Sequence, residues 1–165
     1  MKLFGITGYS GSGKTTLIEK LIPLFREWGL RVSVIKHAHH QVDLDQPGKD
    51  SWRFREAGSQ EVLLATSRRW FLMHENRECS EPCLEDLTAC LAPCDLVLVE
   101  GFKHEPMPKL EVWRASTEKP LISPGDANIL AVASDRPVAS FLPQFDLNRP
   151  EPMALFIAQR LELSR

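Results

Sequence analysis

The chain has 165 residues, 43% hydrophobic and 25% charged, with a net charge of −2. That length fits one domain able to bury roughly 70% of its unfolded surface, and the composition excludes a disordered or fibrous protein. There is no basic tract to meet nucleic acid and no apolar run near the ~18 residues of a membrane span. Met1-Lys2 leads straight into a strand with no signal segment, so a cytoplasmic protein is expected.

Lys2–Thr7 reads as a short buried strand, and Gly8-Tyr9-Ser10-Gly11-Ser12-Gly13-Lys14-Thr15 follows it. This is G-x-x-x-x-G-K-[ST], a phosphate-binding loop of the Walker A type. Beyond it, Leu17, Ile18, Leu21, Leu24, Phe25 and Trp28 recur at spacings of three and four, one face of a helix. Gly29 stands where a helix-ending glycine belongs. Strand, Gly-rich turn and helix are the context this motif requires. Glycines allow a tight turn close to a triphosphate, and the helix N-terminus adds unpaired N–H donors. Phosphate contacts are expected from Gly11, Ser12, Gly13, Lys14, Thr15 and Thr16, with Lys14 on the β- and γ-phosphates and the Thr15 hydroxyl on Mg²⁺.

Arg31–Lys36 is a second strand, running into a polar loop from His37 through His39, His40 and Asp43 to Asp50. Loops at the C-terminal ends of parallel strands are where ligands bind, so this stretch is a candidate for substrate or switch work. Asp50 can cap a short helix through Ala57, closed by Gly58. Glu61–Thr66 and Trp70–His74, joined by Ser67-Arg68-Arg69, read as a β-hairpin. Apolar on both faces, it calls for a cover that a symmetric partner can supply.

Cys79, Cys83, Cys90 and Cys94 lie close together around a segment, Glu81–Ala92, that reads as helical. Two C-x₃-C pairs allow zinc. Small buried thiols in a reduced compartment are the simpler reading, since zinc ligands more often sit two residues apart. Asp95-Leu96-Val97-Leu98-Val99-Glu100 then describes a buried parallel strand with an acid at its tip. Beside a P-loop this is the Walker B position, where the acid meets Mg²⁺ directly or through water. Here the acid is Glu100, and Gly101 can offer its N–H to the γ-phosphate. Lys109–Arg114 alternates and reads as a half-exposed strand, Ser116–Asn128 as loop, Ile129–Ala133 as a buried strand ending in Ser134-Asp135, and Met153–Leu163 as a closing amphipathic helix. Asp135, at a strand tip, is a candidate for reading guanine, whose N1–H and N2 amino donors one carboxylate can accept together. Capping of the loop ahead of Pro137 is the alternative for the same carboxylate.

The P-loop, Lys36-His37-Ala38-His39-His40, Pro47-Gly48-Lys49-Asp50-Ser51, Ala57-Gly58, Val99-Glu100-Gly101-Phe102-Lys103-His104 and Ala131-Val132-Ala133-Ser134-Asp135 together resemble the MobB family of molybdopterin-guanine dinucleotide biosynthesis. They run in family order over nearly the whole chain. The resemblance implies a homodimeric P-loop GTP-binding adapter with weak Mg²⁺-dependent GTPase activity, working beside the guanylyltransferase that joins GMP to molybdopterin. The fold expected is an α/β three-layer P-loop NTPase domain, mostly parallel, with an added hairpin. Lys14 and Glu100 are the candidate catalytic pair, Thr15 and Glu100 the metal ligands. His37, His39 and His40, with Lys103 and His104, form the candidate surface for molybdopterin. A small-molecule kinase, which needs a basic lid to which Arg68-Arg69 is the nearest approach although no Arg-rich lid is present, and a metal-delivery GTPase are the alternatives.

Overall fold

The computed structural model describes residues 1–38, 45–77 and 81–164. The chain gathers into two compact units, one formed by Met1–His37 with the chain from Thr88 on, the other by Ala38–Leu87. The sequence reads as one domain.

In the first unit the strands are β1 (Lys2–Thr7), β2 (Val32–Lys36), β5 (Leu96–Glu100), β6 (Lys109–Trp113), β7 (Ile129–Ser134) and β8 (Gln144–Asp146), and the helices are α1 (Lys14–Glu27) and α4 (Pro150–Arg160). The second unit holds helix α2 (Asp50–Glu56) and strands β3 (Glu61–Ala65) and β4 (Trp70–His74), while helix α3 (Leu84–Ala89) joins the two stretches of chain. The expected α/β fold with a mostly parallel sheet and an added hairpin is present. The six strands lie in the order β2-β5-β1-β6-β7-β8, and every ladder between them is parallel.

One sheet face follows from the alternation of side chains. Phe4, Ile6, Leu96, Leu98, Leu110, Val112, Ala131 and Ala133 pack with Leu17, Ile18, Leu21 and Phe25 of α1 and with Met153, Ala154 and Ile157 of α4. Each fully buried Leu, Ile or Phe contributes about 1.5–3 kcal/mol, so the stripe of α1 fixes the helix start, and with it the P-loop, against the sheet. Gly29 adopts φ 80° and closes α1, as its position requires.

The opposite face carries a surprise on β6. The strand reads as half-exposed, yet Lys109, Leu110, Glu111 and Val112 are all buried. Its charged residues point into the structure and are paired there. Lys109 Nζ donates to Lys103 O (2.6 Å) and to Asp126 Oδ2 (2.7 Å). Glu111 accepts the backbone N–H groups of Ile122 (2.7 Å) and Ser123 (2.9 Å). Gly5 makes room for this arrangement, because a Cβ there would come 2.8 Å from Lys109 Cγ. The loops after β5 and β6 are thus tied to the central sheet by two buried charges.

Other readings shift in detail. Lys49, not Asp50, stands at the N-cap of α2, and Asp50 begins the helix, where its charge meets the dipole. Helix α3 is shorter than the periodicity suggests, with Cys83 before it and Cys90 after it. Both thiols are exposed and only Cys94 is buried, so the reading of buried thiols fails for two of the three described. Cys79 lies outside the described residues. Strand β8, a three-residue strand directly after Pro143, has no counterpart in the sequence reading. Within the second unit, β3 and β4 pair antiparallel, Leu64 opposite Phe71, and leave Leu63, Leu64, Trp70, Phe71 and Leu72 exposed. Among the described residues no helix is long and apolar enough to cross a membrane.

Burial raises the pKa of Asp126, but hydrogen bonds from Lys109 and Asn128 outweigh it, and the carboxyl lies below its ordinary value of 3.8. A depressed carboxyl stabilises the fold above its unfolded pKa and loses that contribution as pH falls through the folded one. Lys109→Met is expected to destabilise the protein by roughly 2–3 kcal/mol, near the low end for a broken buried pair because Asp126 keeps some solvent contact. Urea denaturation at neutral pH measures this. The difference from the parent should shrink below pH 3.8, and a loss under about 1 kcal/mol at neutral pH would show that the pair does not brace these loops.

Candidate functional site

The loop after β1 is held open by three glycines in the left-handed region, Gly8 (φ 145°), Gly11 (φ 80°) and Gly13 (φ 99°). At Gly8 the requirement is double, because a Cβ would also stand 2.3 Å from Val112 O, a backbone atom of the neighbouring strand that cannot yield. Gly13 serves as the N-cap of α1 without any side-chain cap, so the first-turn N–H groups of α1 have no capping side chain and can meet an anion. Ser12 N–H donates to Tyr9 O (3.2 Å), closing the turn. The hydroxyls of Thr7 and Ser12 are buried without a hydrogen-bond partner among the described residues.

The Lys14 side chain is half-buried and folded over its own loop, its Nζ donating to Tyr9 O at 2.9 Å. The ammonium is therefore held, where a free solvent-facing group would be the simple expectation. Burial lowers its pKa; the Glu100 carboxylate opposes this, while Lys103 and Lys36 add to it. Arg114, at the end of β6, donates from Nε to Ser12 O (3.2 Å) and braces the loop from the other side.

Next to Lys14, the Thr15 hydroxyl meets both oxygens of Glu100, at 3.1 and 3.0 Å. Glu100 is the last residue of β5, buried like the rest of its strand. A hydroxyl and a carboxylate side by side are hard oxygen donors, the chemistry that Mg²⁺ takes. The residues present therefore fit that ion, with its remaining positions left to water or phosphate. Lys36, last residue of β2, completes the group, its Nζ 3.6 Å from Glu100 Oε2 and 3.4 Å from Thr15 Oγ1. Thr16 is exposed on the first turn of α1.

Gly101 turns the chain away from β5 with φ 100°, and a Cβ there would meet His37 Cβ at 2.7 Å. This close approach lets the His37 ring stack on Phe102, centroids 4.7 Å apart. His37 N–H donates to Glu100 O (2.8 Å), so β2 and β5 stay joined to their tips. Lys103 Nζ lies 5.5 Å from the centre of the Tyr9 ring. Tyr9, Lys103, His104, Ile122 and Asp126 line a cavity of about 400 Å³ beside the P-loop. The buried pairs of Lys109 and Glu111 hold two of its walls.

Asp135 begins the loop after β7, two strands from β1 and so about 10 Å away at the usual strand spacing. Its Oδ1 accepts the N–H of Ala115 at 3.0 Å. With Arg136, Gln144, Phe145 and Asp146 it lines a second cavity, of about 320 Å³. The structure thus brings Lys14, Thr15, Glu100, Gly101, His37 and Lys103 around the P-loop and leaves Asp135 at a distance from it. His39 and His40 lie outside the described residues. Tyr9 and Lys36 enter the sequence reading only as members of motifs, and Arg114 only as the end of a strand, none with a role of its own. Lys36 ends β2 and Arg114 follows β6, and that position was the available signal.

A Gly-rich loop after the first strand, a helix beginning on its last glycine and an acid at the tip of the adjacent parallel strand define a P-loop nucleotide-binding fold. The profile of MobB, molybdopterin guanine dinucleotide synthesis protein B, matches residues 3–135, and the chain belongs to that family. It is 49% identical over 158 residues to the molybdopterin-guanine dinucleotide biosynthesis adapter protein of Haemophilus influenzae, covering 94% of this chain and 86% of that one. Against the protein of the same description from Escherichia coli, identity is 39% over 163 residues, covering 97% and 93%. The crystal structure of a MobB homologue from Bacillus stearothermophilus superposes with a TM-score of 0.73 at 26% identity, over 99% of this chain and all of that one. A crystal structure of molybdopterin-guanine biosynthesis protein B gives 0.77 at 30% identity, over 96% and 99%.

Proposed function

We propose that this protein is a GTP-binding adapter in molybdopterin guanine dinucleotide biosynthesis. It binds Mg²⁺–GTP at the P-loop, hydrolyses it slowly, and works in the cytoplasm beside the guanylyltransferase that joins GMP to molybdopterin. The observation that carries this reading is the contact of the Thr15 hydroxyl with Glu100 at the mouth of the P-loop. It puts a hydroxyl and a carboxylate, both hard oxygen donors, next to Lys14. Lys14 holds the β- and γ-phosphates, the N–H groups from Gly11 to Thr16 wrap them, Gly101 N–H faces the γ-phosphate, and Thr15 and Glu100 hold Mg²⁺. The cavity beside Tyr9, with Lys103 and His104, takes the phosphate and pterin of molybdopterin, helped by His37.

Lys14→Ala is expected to weaken GTP binding roughly tenfold to hundredfold, a charge-assisted contact of about 1.5–3 kcal/mol, with an unchanged thermal melt. The same variant should no longer stimulate dinucleotide formation by the guanylyltransferase. Lys103→Ala should keep GTP affinity and lose the stimulation. Parent-like GTP affinity in Lys14→Ala would remove the P-loop from the reading, and full stimulation by Lys103→Ala would remove the molybdopterin surface.

Asp135 is proposed to read guanine. A carboxylate oxygen accepts two hydrogen bonds, so the bond from Ala115 leaves capacity for N1–H and the N2 amino group. Asp135→Asn is expected to lose GTP affinity by about 2–4 kcal/mol and to gain affinity for xanthosine triphosphate, whose carbonyl at position 2 an amide can meet. If isothermal titration gives both nucleotides their parental affinities, Asp135 serves only to hold the loop at Ala115.

The exposed faces of β3 and β4 are proposed as the homodimer interface, since five large apolar side chains crowd one hairpin. Leu64→Asp with Phe71→Asp should convert a dimer to a monomer by sedimentation. A monomeric parent, or a dimer that survives both changes, contradicts it.

A further inference from the structure

Lys36 has no part in the reading above, although it stands at its centre. Strand register puts it beside Glu100, each the last residue of its strand. Its root is fixed by the neighbouring buried Ile35, while its side chain is 55% exposed. The Glu100 side chain is only 10% exposed. A carboxylate so far removed from water needs a cation or several donors close by. Lys14 feels the Glu100 charge but spends its ammonium on Tyr9 O, and among the described residues the cation within ion-pair distance of Glu100 is Lys36. Its ammonium touches the same two groups, Thr15 Oγ1 and Glu100, that a divalent ion would take. An ion coordinated to Thr15 at about 2.1 Å would lie within about 5.5 Å of that ammonium. Lysine and metal therefore contend for one carboxylate.

We infer that Lys36 is an internal cation of the nucleotide site: its ammonium competes with the divalent ion for Glu100 and, in the ion's absence, neutralises the triphosphate in its place. This rests on the reading of the P-loop as a triphosphate site. Two consequences separate it from an ordinary surface lysine. Removing the ammonium tightens metal binding to the protein alone. It also makes triphosphate binding depend on metal more steeply than in the parent.

The test uses Lys36→Met, which keeps most of the stem without the charge, and Lys36→Arg, which keeps the charge. Both are first checked for a parental circular dichroism spectrum and melt. Mn²⁺ binding to the nucleotide-free protein is measured by electron paramagnetic resonance. Lys36→Met is expected to bind Mn²⁺ about fivefold or more tightly than the parent, Lys36→Arg like the parent, and Glu100→Gln more weakly, which places the ion at Glu100. GTP affinity is then compared in EDTA and in Mg²⁺. The ratio between the two conditions should grow at least about tenfold in Lys36→Met and stay parental in Lys36→Arg. Mn²⁺ affinity in Lys36→Met equal to or weaker than the parent's, including no binding in either, overturns the inference. So does an unchanged EDTA-to-Mg²⁺ ratio. Absence of GTP binding by the parent in Mg²⁺ would instead refute the triphosphate reading, and the Mn²⁺ measurement would still decide the role of Lys36.

Discussion

Everything at the site depends on the sheet being parallel throughout. In an antiparallel sheet the strand tips alternate between two edges. Here all six strands end at one edge, so β2, β5, β1, β6 and β7 deliver Lys36, Glu100, the P-loop, Arg114 and Asp135 to the same side. Strand β1 lies in the middle, with β5 on one flank and β6 on the other. The order runs one way to β2 and the other way to β8, and the P-loop stands where it reverses, the place where open α/β sheets bind ligands. Burial on both faces is the condition for such a sheet. It is met on one face by α1 and α4, and the apolar stripe of α1 fixes the helix start that presents the loop.

On the other face the solution is less usual. Buried charges are normally a liability, because desolvation exceeds what the pairing returns. Lys109 and Glu111 avoid this by spending their bonds on loops. Lys109 satisfies a carbonyl of one loop and a carboxylate of another, and Glu111 takes two backbone N–H groups that would otherwise be unpaired. An apolar pair in their place would fill the space but would leave those loop groups without partners. The polar pair therefore fixes loop position, and the cavity beside Tyr9 inherits its walls from it.

What could be read in the sequence follows the range of the interactions. The P-loop, α1 and β5 were legible because a local motif or period specifies each, and Gly8, Gly13 and Gly29 mark backbone turns that only glycine enters easily. The hairpin was legible from its two apolar runs. Strand β6 was placed correctly but its exposure was not. Alternating charge looks like a solvated face, and the partners of Lys109 and Glu111 sit in a stretch with no period of its own. Strand β8 is three residues long, too short for any period to show. Cys83 and Cys90 lie beyond the ends of α3, so helical spacing said nothing about their exposure. The place of Lys36 at a strand end is legible, but it ends up beside Glu100 only through strand register, a pairing across the chain that the residues around it do not specify.

The charge balance at the P-loop ties these observations together. Lys14, Lys36 and Lys103 all act on the same local field, for Lys103 and Lys36 both push the Lys14 pKa down and Glu100 pushes it up. Lys14 and Lys36, two ammonium groups that feel one buried carboxylate, leave a net positive site, suited to a polyanion. A triphosphate with its metal brings about two negative charges fewer than the bare triphosphate. A site with one lysine and an acid suits the metal-bound form; a site with more cations also suits the bare one. The Thr15–Glu100 contact argues for a metal and the Lys36 ammonium for tolerance of its absence. Both meet at the same two side chains, where a half-exposed lysine on β2 adds its charge beside a glycine-built loop.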